Sequence, residues 1–230
     1  NGEGADDEPG VGAGDEGAGG DAPAASDDPA GGEAPEELTA DLEIVESGWS
    51  VNDDGRMSYV FALRNNSDDV KVKFPTVNIV GRADDDTIVY TREELFTCIY
   101  PGETLWGATI AGENANPDDV EFSIVPLRDD QVVRSDEKPP LYSVSNLAVV
   151  DSEYGLTPPI TGEVSLLEEG NVELEKDVAI VLVFMDEDGT VIGGEFTSVN
   201  NPRLGESMPF SVYPHSCPDY SSYEAYGFRY

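Results

Sequence analysis

Positive charge is scarce in this 230-residue chain, where 12 Lys and Arg side chains stand against 48 Asp and Glu, for a formal net charge of -36. Such an excess of negative charge repels nucleic acid and anionic membrane surfaces, so neither is an expected partner. Long apolar runs are missing too, since no segment approaches the roughly 18 residues that a transmembrane helix needs. We therefore expect no direct insertion into a membrane.

Residues that commonly carry catalysis are also few. The single histidine, His215, stands beside Ser216 and Cys217, whereas a nucleophile, its base and an orienting group usually come from separate segments. Carboxylates are abundant, but most lie in turns or tails beside other acids, without the burial that raises the pKa of a catalytic carboxyl. The sequence therefore predicts a protein that is not an enzyme and that needs no cofactor.

Cysteine is nearly absent, with only Cys98 and Cys217, and their spacing fits no metal site. A disulfide between them would join the two halves of the chain, and export would permit it. Two independent buried thiols are the second interpretation. A reactive thiol is the third and least favoured, because activation of a thiolate needs nearby positive charge.

Large apolar side chains are missing from residues 1–37, which consist almost entirely of Gly, Ala, Pro, Ser, Asp and Glu, with Val11 as the one larger aliphatic. This segment holds twelve carboxylates and no Lys or Arg. Such a composition cannot bury enough apolar area to offset the chain entropy of folding, so we predict disorder. We interpret it as an acidic tether that holds the rest of the chain away from a surface; a solubilising tail is the alternative.

From Leu38 onward the pattern changes to short apolar runs, broken roughly every 8–12 residues by turn residues, which is typical of a β-sandwich or barrel. Residues 70–80 predict two short strands or one strand bent near Phe74 and Pro75, because proline cannot donate to a sheet ladder. Residues 178–184 are continuously apolar, as in a strand that is buried on both faces. The predicted fold class is all-β.

The two halves of this region match at a nearly constant offset of about 102–103 residues. Residues 84–89 align with residues 186–191, and residues 102–104 align with residues 205–207. Several matches in one register indicate a tandem duplication, with each copy about the size of an immunoglobulin-like sandwich. The predicted organisation is a tether at 1–37, a first β-sandwich domain at 38–134, a linker at 135–140 and a second β-sandwich domain at 141–230.

Three features together resemble a known family: the strand at residues 60–65 (VFALRN), the Asp-rich hairpin at 84–86 and the turn at 100–104 (YPGET). They resemble FxLYD-type extracellular domains, although no literal FxLYD string occurs. The whole chain, with its acidic tether, resembles tandem-domain surface lipoproteins of gut actinobacteria. The resemblance covers residues 38–230 and implies immunoglobulin-like sandwiches, export to the cell surface and a lipid anchor on a cysteine that precedes this chain. It implies no catalytic residues.

Two acidic clusters have a calcium interpretation. Asp84 and Asp86 in one, and Asp186 and Asp188 in the other, supply the hard oxygen ligands that Ca²⁺ takes. An EF-hand is excluded for the second cluster, because Thr190 and the following valine stand where Asp or Asn and Gly are required. Both clusters also lie where hairpin turns are expected, and Asp is a standard turn residue. We expect plain turns, with calcium binding as the alternative.

Aromatic side chains near the C-terminus provide the candidate binding surface. Exposed Tyr220, Tyr223 and Tyr226, together with Trp106, would form a platform that stacks on a sugar or a protein partner. The alternative is that these side chains fill the core and cover sheet faces. The leading hypothesis for function is a surface-displayed binding module for an unknown protein or glycan. A ligand-free structural spacer is the alternative, and a hydrolase with an unrecognised site is third.

Overall fold

The computed structural model describes residues 38–53, 55–113, 116–151, 157–214 and 219–229, with the backbone alone at 112 and 113. The predicted tether, His215 and Cys217 lie outside the described residues. Fifteen strands and one 3₁₀ turn, Asp129–Gln131, form the regular structure of the described part, so the chain is all-β as predicted. Within these ranges no helix is long and apolar enough to cross a membrane.

The strands divide into nine in the first half of the chain and six in the second half. The first nine are β1 Leu42–Val51, β2 Arg56–Asn65, β3 Val70–Lys73, β4 Thr76–Arg82, β5 Ile88–Leu95, β6 Cys98–Ile99, β7 Thr104–Glu113, β8 Asp119–Ile124 and β9 Val132–Arg134. The last six are β10 Leu141–Val149, β11 Ile160–Glu168, β12 Asp177–Met185, β13 Val191–Asn200, β14 Ser207–Val212 and β15 Ser222–Arg229.

These strands form five three-stranded antiparallel sheets. Sheet A has the order β1-β2-β7, sheet B β5-β4-β8, sheet C β13-β12-β15, sheet D β10-β11-β14, and a small sheet E β6-β3-β9. When the three strands of sheet E are set aside, each half has six strands. In both halves the first, second and fifth of these strands form one sheet, and the third, fourth and sixth form the other. A tandem duplication produces such a repeat, and this shared topology supports the internal alignment made from sequence.

Each half is a sandwich of two sheets, in agreement with the predicted fold class. In the first half, Tyr59 and Phe61 of sheet A point at sheet B, and both rings lie 6.0 Å from the ring of Phe122. In the second half, alternate residues of β12, including Ile180 and Leu182, pack in one buried cluster with residues of sheet D. Period-two alternation along each central strand explains both cores.

The two sandwiches pack face to face, with sheet A of the first against sheet C of the second. The remaining residues of β12, Ala179, Val181 and Val183, share a buried cluster with Val60 and Ala62 of β2. Residues 178–184 are therefore buried on both faces, which confirms the prediction from the apolar run. Residues 37–230 form one compact unit, and the two-domain division stays a prediction from the repeat.

The predicted linker at 135–140 contacts both halves. The backbone N–H of Ser135 donates to the carbonyl of Asp69 at 2.8 Å, and Glu137 forms an ion pair with Lys71. On the other side, the N–H of Asn171 donates to the carbonyl of Lys138 at 3.1 Å. The segment is thus fastened to the first half through β3 and to the second half through the loop after β11.

The bend predicted near Phe74 and Pro75 is present. Phe74 has a φ of 52°, and the chain passes there from β3 in sheet E to β4 in sheet B. A positive φ is costly for a bulky residue and interrupts the extended strand here. The two predicted short strands therefore belong to different sheets.

The register of the internal alignment needs a correction of one residue at the Asp-rich hairpin. The N–H of Asp86 donates to the carbonyl of Ala83, and the N–H of Gly189 donates to the carbonyl of Asp186. Asp86 and Gly189 also share a positive φ, 64° and 80° respectively. Asp186 therefore corresponds to Ala83 and not to Asp84. The geometry of the turn sets the register, and composition does not fix that geometry.

Candidate binding groove

A groove of about 510 Å³ runs along the outer edge of β7. Five consecutive residues of that strand, 105–109, line it, and within the described residues β7 pairs with β2 only. One wall comes from β5 and the segment that follows it, and the other wall comes from the second half of the chain. The volume falls in the range of ligand pockets, about 300–1,000 Å³.

The first wall carries a chain of polar contacts. Arg92 and Glu94 pair with Ile79 and Val77 of β4 and so point inward, toward sheet A. The Nε atom of Arg92 lies 2.7 Å from Oε1 of Glu94, and the hydroxyl of buried Tyr59 donates to the same oxygen at 2.8 Å. Burial, and then the charge of Glu94, raise the pKa of Tyr59 well above its ordinary value. Its hydroxyl therefore remains a donor that holds Glu94 in place.

The second wall is aromatic. Trp106 of β7 stacks on Tyr226 of β15 with ring centroids 4.2 Å apart and an interplanar angle of 16°. Trp106 is only 7% exposed, so it belongs to the contact between the halves more than to a display surface. Phe196 of β13 also lines the groove and is 38% exposed. The aromatic group that a ligand meets first on this side is thus Phe196, which sequence reasoning missed.

The floor of the groove depends on a glycine. A Cβ atom on Gly107 would lie 2.4 Å from the ring of Phe61, so the aromatic ring packs directly on the β7 backbone. Residues 104–112 contain no charged residue and no proline. The edge of β7 therefore presents a backbone with small or apolar side chains around it.

A buried charged cluster borders the groove where the two halves meet. The guanidinium carbon of Arg229 lies 4.6 Å from the ring centroid of Tyr100, and its Nη2 atom donates to the carbonyl of Cys98 at 2.5 Å. The Nε atom of Arg229 is 3.7 Å from Oε1 of Glu103, and both side chains are only 7% exposed. Arg229 belongs to β15 and the other residues to the first half, so this cluster ties the halves together.

Glu103 is a buried carboxyl that the sequence did not identify. Burial raises its pKa to about 7, against the opposing influence of the Tyr100 N–H, which donates to Oε2 at 2.9 Å, and of Arg229. The signal in the sequence was ambiguous, because the corresponding residue in the second half, Glu206, follows the same glycine turn and is exposed. Glu103 also lines a smaller cavity of about 240 Å³ beside residues 139–142.

The predicted tyrosine platform is divided into two groups by the structure. Tyr226 pairs with Trp106, as described. Tyr220 lies 4.7 Å from Phe184 and 5.9 Å from Tyr223, measured between ring centroids, and both tyrosines pack half-buried against the core of the second sandwich. Neither Tyr220 nor Tyr223 lines the groove. The four aromatic residues therefore do not form one surface.

The two Asp clusters are hairpin turns, between β4 and β5 and between β12 and β13. Oδ1 of Asp186 accepts the N–H groups of Asp188 at 2.9 Å and Thr190 at 2.8 Å, while the N–H of Asp84 donates to Asp118. In the described part of the chain, no three His, Cys, Asp or Glu side chains gather in a way that would hold a metal ion. The geometry of Asp84, Asp86, Asp186 and Asp188 is accounted for by the turns.

Cys98 is buried at the start of β6 and has no disulfide partner among the described residues. Burial raises the pKa of this thiol, and the charges of Arg229 and Lys71 lower it by less. Its expected partner, Cys217, lies outside the described residues, so the disulfide stays a prediction.

No protein-family model matches the chain, and no curated protein matches it. The resemblance to FxLYD-type domains therefore depends on the strand and turn pattern alone.

Proposed function

We propose that this protein is a non-catalytic binding module and that the groove along β7 is its ligand site. The observation that carries the proposal is the pair of aromatic side chains on opposite walls, partly buried Phe96 and 38% exposed Phe196, on either side of an uncharged strand edge. Exposed apolar side chains around a concave site with a few polar groups are typical of ligand sites.

The alternative function, a structural spacer without a ligand, gains support from how firmly the halves are joined. The shared core and the buried Glu103–Arg229 contact would make a stiff unit whatever the groove does. A spacer, however, has no use for an exposed phenylalanine side chain beside an open strand edge, which carries a risk of aggregation. The binding hypothesis therefore explains one more feature of the molecule.

Display at the cell surface is part of the same proposal. The strand and turn pattern that resembles FxLYD-type domains favours immunoglobulin-like halves, export and a lipid anchor upstream of this chain. The acidic segment at 1–37 would then act as the tether. A protein or a glycan on the outside of a cell is the expected class of partner.

Binding by matched variants tests this function. The full chain, Thr109→Lys, Phe196→Ser and the control Leu167→Ser, an exposed leucine on β11 outside the groove, would each be immobilised and exposed to mucus, host-cell and envelope extracts. A peptide of residues 1–37 serves as the charge control. We expect saturable capture that both groove variants lose and that Leu167→Ser keeps. Equal capture by all variants, or by the tail peptide, would contradict the proposal.

A further inference from the structure

The free edge of β7 differs from the edge strand that faces it. β5 turns Arg92 and Glu94 inward at the rim of the sandwich, and charged side chains in that position protect an edge strand against pairing with another chain. β7 has no such protection, since residues 104–112 carry neither charge nor proline. Its backbone N–H and C=O groups on the outer side are obligatory hydrogen-bonding groups that pair with no described strand.

The layers on both sides of sheet A shape this edge into a slot. A strand added to β7 would lie about 4.8 Å from it and would alternate its side chains between the two walls. On one side it would meet Phe96, and on the other side Phe196 and Phe228. An added fourth strand of sheet A would thus have apolar contacts on both faces in addition to the main-chain hydrogen bonds.

Charge selects the occupant of the slot. Around the groove, Arg92 is paired with Glu94 and Arg229 faces Glu103, while Glu175 adds a further carboxylate. The chain as a whole carries a net charge of -36, so a second copy is repelled. The segment at 1–37 is a poor occupant for the same reason, having twelve carboxylates and one larger aliphatic side chain.

We propose that the groove binds an extended, positively charged peptide segment of a partner protein, which adds to β7 as a fourth strand of sheet A. This inference rests on the proposed function and specifies its ligand: main-chain hydrogen bonds along residues 105–109 provide affinity, and the apolar walls select alternate side chains. The negative charge of the chain raises the association rate and the affinity for such a peptide. Because salt screens this attraction, the affinity falls as the salt concentration rises.

Synthetic peptides test the proposal on the full chain. The probe alternates valine and threonine and is flanked by lysines; its controls carry N-methyl groups on alternate backbone amides, or glutamates in place of the lysines. We expect the lysine peptide to bind at low salt and both controls to bind at least about tenfold more weakly, because backbone donors or charge complementarity are lost. Hydrogen exchange should slow in residues 104–113 and stay unchanged in residues 88–95.

A pair of matched variants locates the site. Thr109→Lys places a charge at the β7 edge and should weaken binding of the lysine peptide about tenfold, whereas Thr91→Lys, on the exposed side of β5 outside the groove, should not.

Equal binding of the N-methylated peptide, or protection at β5 in place of β7, overturns the proposal. If Phe196→Ser abolishes capture of a natural ligand, such as a neutral oligosaccharide, but no peptide binds, this inference fails and the binding function survives. If neither assay depends on the groove, both fail.

Discussion

The side chain of Ser58 and the backbone of Gly194 exchange two hydrogen bonds across the contact between the two sandwiches. The hydroxyl of Ser58 donates to the carbonyl of Gly194 at 3.0 Å and accepts the N–H of Gly194 at 3.1 Å. Ser58 is fully buried, and a Cβ on Gly194 would lie 2.9 Å from that of Val60. The halves are therefore held by specific polar contacts and close glycine packing as well as by apolar area.

Replacing Ser58 by alanine should lower the free energy of unfolding by about 1–3 kcal/mol, because both backbone groups of Gly194 lose this buried partner. Ser47→Ala, an exposed position on β1, is the control and should change little. Urea denaturation of the full chain measures both. Equal midpoints for the two variants would mean that the Ser58 contact contributes nothing to stability.

The stacked pair Trp106 and Tyr226 should show coupling in a double-mutant cycle with alanine at each position. We expect a coupling free energy of about 0.5–1.5 kcal/mol beyond the loss of buried area, as for other aromatic pairs. Urea denaturation of the two single variants and the double variant gives the value. Additive effects would indicate that the stacking does not join the halves. Tyr213→Ala, at an exposed tyrosine outside this pair, is the comparison for the single Tyr226→Ala variant.

The strands were predictable because they are local patterns. Turn residues such as those around Asp86 recur at sandwich spacing, and the apolar run at 178–184 indicates burial on two sides. The run does not say which sheets cover its two faces. Sheet A of the first half covers one of them because of residues far away in sequence. Ser58 bonds the backbone of Gly194. Gly48 leaves room for the backbone of Val191, which a Cβ there would meet.

The site could not be predicted for a related reason. Glu103 and Glu206 follow equivalent glycine turns, yet only Glu103 is buried, because Arg229 and the second half cover it. Trp106 and Tyr226 were recognised as notable aromatics, but their stacking across the contact is a tertiary relationship. The groove along β7 is lined by β5, β7 and the second half of the chain together, a tertiary arrangement that no short sequence pattern records.

Calcium should not be required by the β12–β13 hairpin. Asp186→Ala should lower stability by about 0.5–1.5 kcal/mol, because Oδ1 of Asp186 accepts two N–H groups of the turn. The decrease should be the same with calcium chloride or with a chelator, and Glu187→Ala, an exposed neighbour, should change little. Thermal unfolding checks this; a calcium-dependent increase in Tm that Asp186→Ala removes would revive the metal interpretation.

The ionisation of Glu103 should make stability fall as pH rises from about 4.5 to about 7. Its pKa is about 7 in the folded protein, because of burial, against an ordinary value of 4.5. Below pH 4.5 the carboxyl is protonated in both states; between the two values the unfolded chain releases the proton that the folded protein keeps. The unfolded state thus binds fewer protons, and the free energy of unfolding decreases by up to roughly 3 kcal/mol across the window.

Glu103→Gln isolates this effect, because the amide oxygen can still accept the Tyr100 N–H but cannot ionise. Nearby groups titrate elsewhere: Lys71 lowers the pKa of Glu137, and burial raises the pKa values of Cys98 and Tyr100. Urea denaturation at a series of pH values should therefore show that the free energy of unfolding of the variant rises relative to that of the native chain between pH 4.5 and 7. Above pH 7 the difference between the two should stay constant. Glu206→Gln, the exposed counterpart, should follow the native curve, and parallel curves for native chain and Glu103→Gln would refute the raised pKa.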